Sequence, residues 1–324
     1  MMGRSIGTSR ARGRVTGVVG GLAVAVVVLS ACGSSSTTPS AATAGSDTTG
    51  SGAAAASAGT VQVVASTNVW GDVAEQIGGT HVDVLSLISD PSADPHSYEA
   101  NAQNQLALSK AALVVENGGG YDDFVDTMMA SSGGNATVVN AVEVAGYSGD
   151  ELNEHVWYDF PTVQKVAAAI ADDLAAADPA HAAEYRANAT AFSGKVDALI
   201  AQEQQIKATH DGAPVAITEP VPVYMLDASG LDDLTPDAFA EAIEQETDVP
   251  ADVLQQTLAL FADKKVDALV YNSQTSGPQT EAVLQAAKDN GIAVVPVTET
   301  LPAGQDYLGW MGSNLTALDT ALGG

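Results

Sequence analysis

Four side chains of types that bind divalent metal ions stand far apart in this chain. His96 lies in Asp94-Pro95-His96-Ser97-Tyr98-Glu99 and His155 in Asn153-Glu154-His155-Val156-Trp157-Tyr158-Asp159. Glu219 lies in Thr218-Glu219-Pro220 and Glu299 in Thr298-Glu299-Thr300. Neutral imidazoles bring no charge, and two ionised glutamates cancel a divalent cation. A buried site of this composition avoids the desolvation cost of an unpaired ion. Four nitrogen and oxygen ligands satisfy tetrahedral zinc. Harder carboxylate oxygens suit manganese, above all where one carboxylate chelates with both oxygens. The spacing is not a local signature of the zinc-finger or HExxH kind. Taken singly, each residue is equally at home in a solvated or hydrogen-bonded loop, so everything depends on what the fold gathers.

The elements that must position these residues alternate strand and helix. Val61 to Ala65 reads as a strand, Asn68 to Ile77 as a helix stopped by Gly78-Gly79, and Val82 to Ile88 as a second strand. Helix 101–111, strand 112–115, the loop Asn117-Gly118-Gly119-Gly120, helix 121–131 and strand 137–141 continue the pattern. Pro161 to Lys207 is different in kind: Ala-rich, Gly-poor and interrupted only at Asp178-Pro179, it reads as a long helical connector with Asp159 as its N-cap. The alternation resumes with strand 215–218, helix 235–245, helix 250–263, strand 268–271, helix 278–290, strand 292–297 and a closing helix 306–322. This pattern predicts an α/β protein of two lobes, each a parallel-type sheet covered by helices, joined by the connector. The predicted divisions are an N-terminal lobe over 61–160, the connector over 161–210 and a C-terminal lobe over 211–324. All four candidate ligands fall just beyond a strand or at a lobe boundary, where such a fold opens its cleft.

The first 31 residues carry Arg4, Arg10, Arg12 and Arg14, no acidic residue, and an apolar run from Val15 to Leu29. A basic start, a short apolar run and small residues before a cleavage point make a secretory signal. Cys32, the single cysteine of the chain, closes it in Leu29-Ser30-Ala31-Cys32. That arrangement resembles the lipobox of bacterial lipoproteins, which implies lipidation of the Cys32 thiol and a mature chain beginning there. Gly33 to Thr60 holds only Gly, Ser, Thr, Ala, Pro and one Asp, so residues 32–60 read as a flexible tether. Without its signal the chain has 40 acidic and 8 basic residues, a net charge of −32. Such a surface repels nucleic acid and anionic headgroups, leaving the lipid as the means of membrane contact.

From about Val61 onward the chain resembles the metal-binding lipoproteins of bacterial ABC importers for manganese and zinc. Asp94-Pro95-His96-Ser97-Tyr98-Glu99 corresponds to the family's proline–histidine ligand motif. His155-Val156-Trp157-Tyr158-Asp159 corresponds to its His-Val-Trp-Leu-Asp motif. Glu219, before Val223-Tyr224, falls at the third ligand, Glu299 at the acidic fourth, and Tyr307 to Leu315 resembles the closing helix. The resemblance implies His96, His155, Glu219 and Glu299 as ligands of a transported Mn²⁺ or Zn²⁺. It also implies an ABC permease with its ATPase as partners and a monomeric, lipid-anchored protein outside the cytoplasm. Zinc members usually carry histidine at the third position and aspartate at the fourth, and many have a His-rich loop. Glu219 leans the reading toward manganese, Glu299 is a longer fourth ligand than usual, and Glu154 stands where proline is common.

Glu99 and Asp159 are candidates either to hydrogen-bond a ligand histidine or to cap a helix. His81 and His181 read as surface residues, and Glu241, Glu244, Glu246 and Asp248 as a solvated helix face. Two other functions remain open at this point. One is an adhesin-like surface lipoprotein with a structural metal; the other is a metal-dependent hydrolase, which would need an open coordination position and a base beside it.

Overall fold

Short β-branched runs followed by amphipathic segments give two parallel sheets in the computed structural model, which describes residues 59–90, 98, 101–149 and 152–324. The signal segment, Cys32, nearly all of the tether, His96 and Glu99 lie outside the described residues. The first sheet holds β1 (Val61–Thr67), β2 (Val82–Ile88), β3 (Leu113–Glu116) and β4 (Thr137–Asn140) in the order β2-β1-β3-β4. Every pairing is parallel, with Val63 opposite both Val84 and Leu113. All four residues of β3 are buried, as a strand covered on both faces requires. Helices α1 (Asn68–Gly78), α2 (Ala102–Leu108), α3 (Phe124–Ser132) and α4 (Ala141–Ala145) complete this lobe.

The second sheet repeats the plan. β5 (Pro214–Ile217), β6 (Asp232–Asp233), β7 (Ala268–Asn272) and β8 (Ala293–Val297) run parallel in the order β6-β5-β7-β8. Its helices are α7 (Val223–Ala228), α8 (Asp237–Glu244), α9 (Ala251–Ala262), α10 (Pro278–Asn290) and α11 (Tyr307–Ala321). Between the lobes run α5 (Phe160–Ala177) and α6 (Ala182–His210), with no strand among residues 160–210. Among the described residues, no helix is long and apolar enough to cross a membrane.

Two boundaries differ from the sequence reading for identifiable reasons, and the predicted break between α5 and α6 has one of its own. Helix α3 begins at Phe124, after the Asp122 carboxylate has taken the Asn117 and Gly118 N–H groups at 2.6 and 2.7 Å and closed the preceding turn. That turn needs glycine: Gly118, Gly119 and Gly120 all have positive φ, and a Cβ on Gly118 would fall 2.3 Å from the Asn140 side chain. Helix α8 starts at Asp237 because the Thr235 hydroxyl accepts from the Ile217 N–H at 2.8 Å, tying the loop to β5 instead of capping a helix. The break after α5 is held by Asp178, whose carboxylate meets His181 Nδ1 at 2.5 Å and the Tyr185 hydroxyl at 2.9 Å. His181 is half-buried and stacks on His81 at 3.6 Å, while His81 reaches Glu184 at 3.1 Å. These two histidines, read as surface residues, instead join the end of α1 to the connector.

One apolar core passes through the connector into both lobes. It includes Trp70 and Ile77 of α1, Phe160 and Ile170 of α5, Tyr185 and Phe192 of α6, Val215 and Val270 of the second sheet, and Trp310 of α11. Hydrogen bonds cross between the lobes above it. Asn68 exchanges two with the Leu301 backbone at 3.0 and 2.9 Å, and the Tyr158 hydroxyl donates to the Thr298 carbonyl at 2.8 Å. The Tyr307 N–H donates to Asp72 at 2.9 Å and its hydroxyl to the Trp157 carbonyl at 2.7 Å. Wide hinge opening would break these bonds and expose the shared core, so the fold favours smaller movements.

Candidate metal-binding site

The second lobe presents carboxylates from the ends of its strands. Thr218, the residue after β5, donates its N–H to the Val270 carbonyl and accepts the Asn272 N–H on its hydroxyl at 2.9 Å. That local lattice aims the next residue, Glu219, inward, where it is buried. Glu299 follows β8 by two residues. The Gln274 side chain holds its loop, accepting from the Glu299 N–H at 2.5 Å and the Thr300 N–H at 3.1 Å while donating to the Thr300 hydroxyl at 2.6 Å. Glu299 is buried as well.

Asn272, the last residue of β7, lies between the two glutamates. Its amide nitrogen donates to Glu219 Oε2 and, at 2.8 Å, to Glu299 Oε1. From the first lobe, the Tyr121 hydroxyl donates to Glu299 Oε2 at 3.2 Å. Burial pushes the Tyr121 phenol up, and the Glu299 charge adds to it, so the phenol stays a donor. Two buried carboxyl groups therefore face one another across neutral donors, an arrangement that a cation completes.

The first lobe brings His155, fully buried at the mouth of a 3₁₀ turn over Val156–Tyr158. Asn153 orients it. Its Oδ1 accepts from the His155 N–H at 3.1 Å and meets Nδ1 at 2.8 Å, while its Nδ2 donates to the Pro220 carbonyl at 2.9 Å. Because Oδ1 only accepts, Nδ1 carries a ring proton and Nε2 lies on the side of the ring away from Asn153. Asn117 steadies the same loop by donating to the Glu154 carbonyl at 2.8 Å, and Trp70 donates to Asn117 at 3.3 Å. The Trp157 ring sits edge-on to the imidazole at 5.1 Å.

Asp159 has a different position from its neighbour in sequence. It stands at the N-cap of α5 and accepts from the Tyr147 and Thr162 hydroxyls at 2.9 and 2.5 Å. The carbonyl of Asn153 accepts from the Tyr224 hydroxyl at 2.7 Å, adding another tie to the second lobe. His210 is remote from this site, at the end of α6, with Nε2 3.4 Å from Asp319.

Glu244 corrects the reading of the acidic run as a wholly solvated face. Glu241, Glu246 and Asp248 are exposed, but Glu244 turns inward at the end of α8. Its Oε1 is 3.8 Å from His155 Nε2, and its side chain is 15 % exposed. Glu154, His155 and Glu244 offer ligand atoms all within 4.8 Å of one another. Burial pushes the Glu244 carboxyl up to about 9, and the nearby charges of Glu154, Glu299 and Glu219 act in the same direction. Tyr121, Asn153, Asn272 and Glu244 were not singled out as site residues by the sequence.

Comparison with known proteins bears on the family and the fold. The family model described as zinc-uptake complex component A, periplasmic (ZnuA), matches residues 63–321. The manganese-binding lipoprotein MntA of Bacillus subtilis (strain 168) is 27% identical over 252 residues, which cover 72% of this chain and 78% of that protein. The periplasmic zinc-binding protein TroA from Treponema pallidum superposes with a TM-score of 0.68 at 21% identity, covering 82% of this chain and 99% of its own. The SBP FpvC from Pseudomonas aeruginosa, in complex with Mn²⁺, also gives 0.68 at 21% identity, over 81% of this chain and 98% of that one. At these identities the two structures speak for the fold.

Proposed function

The chain belongs to the ZnuA/TroA/PsaA/MntA family of ABC-transporter solute-binding proteins, and we propose that His155, Glu219 and Glu299, with His96, form its cargo site. The protein captures a divalent transition metal, Mn²⁺ or Zn²⁺, outside the cytoplasm for import by an ABC transporter. Its role is binding and delivery, not catalysis. The observation that carries the site assignment is the pair of buried glutamates sharing the Asn272 amide, one of them also bonded to Tyr121, whose ring lies 6.0 Å from that of His155. Two carboxylates and neutral imidazole supply the charge and the ligand types that either ion takes.

Around that site the reading extends to the rest of the chain. Lipidation at Cys32 and a tether over 32–60 hold the binding body at the membrane surface, and the permease with its ATPase receives the ion. The continuous core and the bonds between lobes support release by local movement of the histidine-bearing loops. The two sheets and the α5–α6 pair between them support a division into lobes over 61–160 and 211–324 with a connector over 161–210.

The test is metal analysis of protein purified without added metal, followed by chelator competition with both ions. One equivalent of Mn²⁺ or Zn²⁺ is expected. His155→Ala and Glu299→Ala should each weaken binding by more than the roughly 10–100-fold that loss of an outer hydrogen-bond partner costs. Failure of the wild-type protein to hold either metal overturns the function, and full affinity in either variant overturns the site.

A further inference from the structure

We infer that Glu244 is a further ligand of the cargo ion and the residue that biases this site toward a metal of higher coordination number. The inference rests on the cargo site proposed above and adds a residue to it. Glu244 comes from the end of α8, an element separate from the strand ends that carry Glu219 and Glu299. Its Oε1 lies 3.8 Å from His155 Nε2. Two atoms that far apart bind one ion at bonds of about 2.1 Å with an angle of about 130° at the metal. The gap is therefore of a size for an ion to sit between them.

Two further observations bear on Glu244. Its carboxyl feels the charges of both Glu219 and Glu299. Glu154 also reaches it by a side-chain hydrogen bond, and Glu154, His155 and Glu244 have their ligand atoms within 4.8 Å. The remaining acidic residues of the run point to solvent, which separates Glu244 from a general acidic surface.

The chemistry sets the direction of the effect. Two imidazoles and two glutamates already complete a tetrahedron for zinc, which gains little from a fifth ligand. Manganese takes more oxygen ligands in a larger shell, so another carboxylate contributes to it preferentially. Removing Glu244 should therefore cost manganese more than zinc and leave a coordination position for water.

The experiment uses the full mature protein loaded with Mn²⁺ or Zn²⁺, in wild-type, Glu244→Ala and Glu244→Gln forms, with Glu246→Gln as the exposed control. Chelator competition should show the zinc-to-manganese affinity ratio rising by about tenfold in Glu244→Ala. Glu244→Gln, which keeps a weaker oxygen donor, should fall between it and wild type, and the control should match wild type. Water-proton relaxation by bound Mn²⁺ should increase in Glu244→Ala as a water takes the vacated position, a change that a purely structural role does not produce. If wild type binds metal and Glu244→Ala leaves both the ratio and the relaxation unchanged, Glu244 is not a ligand and the cargo site stands without it. Equal weakening of both metals with unchanged relaxation also overturns the inference. If wild type binds neither metal, the cargo-site reading falls and this inference with it.

Discussion

The buried carboxyl groups of the cleft and the buried Glu203 of the connector are treated in opposite ways. In the cleft, Glu219 and Glu299 accept from Asn272, and Glu299 accepts from Tyr121 as well. In the connector, Glu203 of α6 is 3% exposed and faces Asp159, another carboxylate. Among the described residues no ion pair reaches it. Burial, with the Asp159 charge added, pushes the Glu203 carboxyl up to about 8. Neutral donors favour the ionised form of a buried carboxyl, whereas burial beside a like charge favours the protonated acid. The cleft is thus prepared for a positive charge, and the connector carries an acid that costs stability whenever it must ionise.

The largest test of this contrast is Glu203→Gln. Because the folded-state pKa lies above the ordinary value of 4.5, the folded chain keeps a proton that the unfolded chain releases. The contribution is fully favourable below about 4.5, and stability falls as pH rises from there through about 8. Glutamine removes that slope. The variant should melt roughly 5–10 °C above wild type at pH 9, from a difference on the order of a few kcal/mol, with the gap closing toward pH 5. Melting curves at several pH values that run parallel for the two proteins would show that Glu203 is not the strained acid.

The second test removes the donor that the cleft carboxylates share. Asn272→Leu keeps a side chain of similar size and leaves Glu219 and Glu299 facing one another without the amide. The metal-free protein should melt about 4 °C lower, since hydrogen bonds to charged groups contribute on the order of 2 kcal/mol. Added metal should raise the melting temperature of the variant more than that of wild type, because the cation replaces the missing donor. An unchanged metal-free melting curve would mean that the cleft carboxylates do not depend on Asn272, and the contrast with Glu203 would lose its basis.

What the sequence disclosed of these two regions differs for physical reasons. The connector was legible because an Ala-rich, Gly-poor run broken at Asp178-Pro179 has few alternatives to two helices, and α5 and α6 follow it closely. The inward placement of Glu219 and Glu299 was legible because each follows a short β-branched run, and strand ends are where a parallel sheet opens its cleft. β6 escaped notice because a two-residue pairing has no periodicity to read. Glu244 was misread because an acidic cluster on a helix looks solvated in sequence, and only the placement of α8 against the His155 loop turns one member inward. Asn272 and Tyr121 act through partners 27 to 178 residues away, a relation that no local pattern encodes.

The smallest effect is expected on the histidine side of the cleft, which is held by a loop. Strand ends and the Asn272 amide fix the carboxylates, whereas His155 depends on Asn153 for both its backbone turn and its ring orientation. In Asn153→Ala the Nδ1 proton loses its acceptor and the tie to the Pro220 carbonyl is gone, so the ring can rotate and either nitrogen can carry the proton. The buried imidazole retains its edge contacts with Trp157 and Tyr121, which limit how far it swings. Binding should therefore weaken by about tenfold, the lower end of what loss of an outer partner costs a metal site. Manganese and zinc should lose similar factors, because the change affects one nitrogen ligand that both ions use. Asn153→Asp provides the sharper comparison: it restores an acceptor for Nδ1, so it should recover ring orientation while losing the bond to Pro220. Chelator competition on both variants separates the two contributions. If the alanine variant binds as wild type does and the aspartate variant does not differ from it, His155 is positioned by packing alone and the loop is as firmly set as the strand ends.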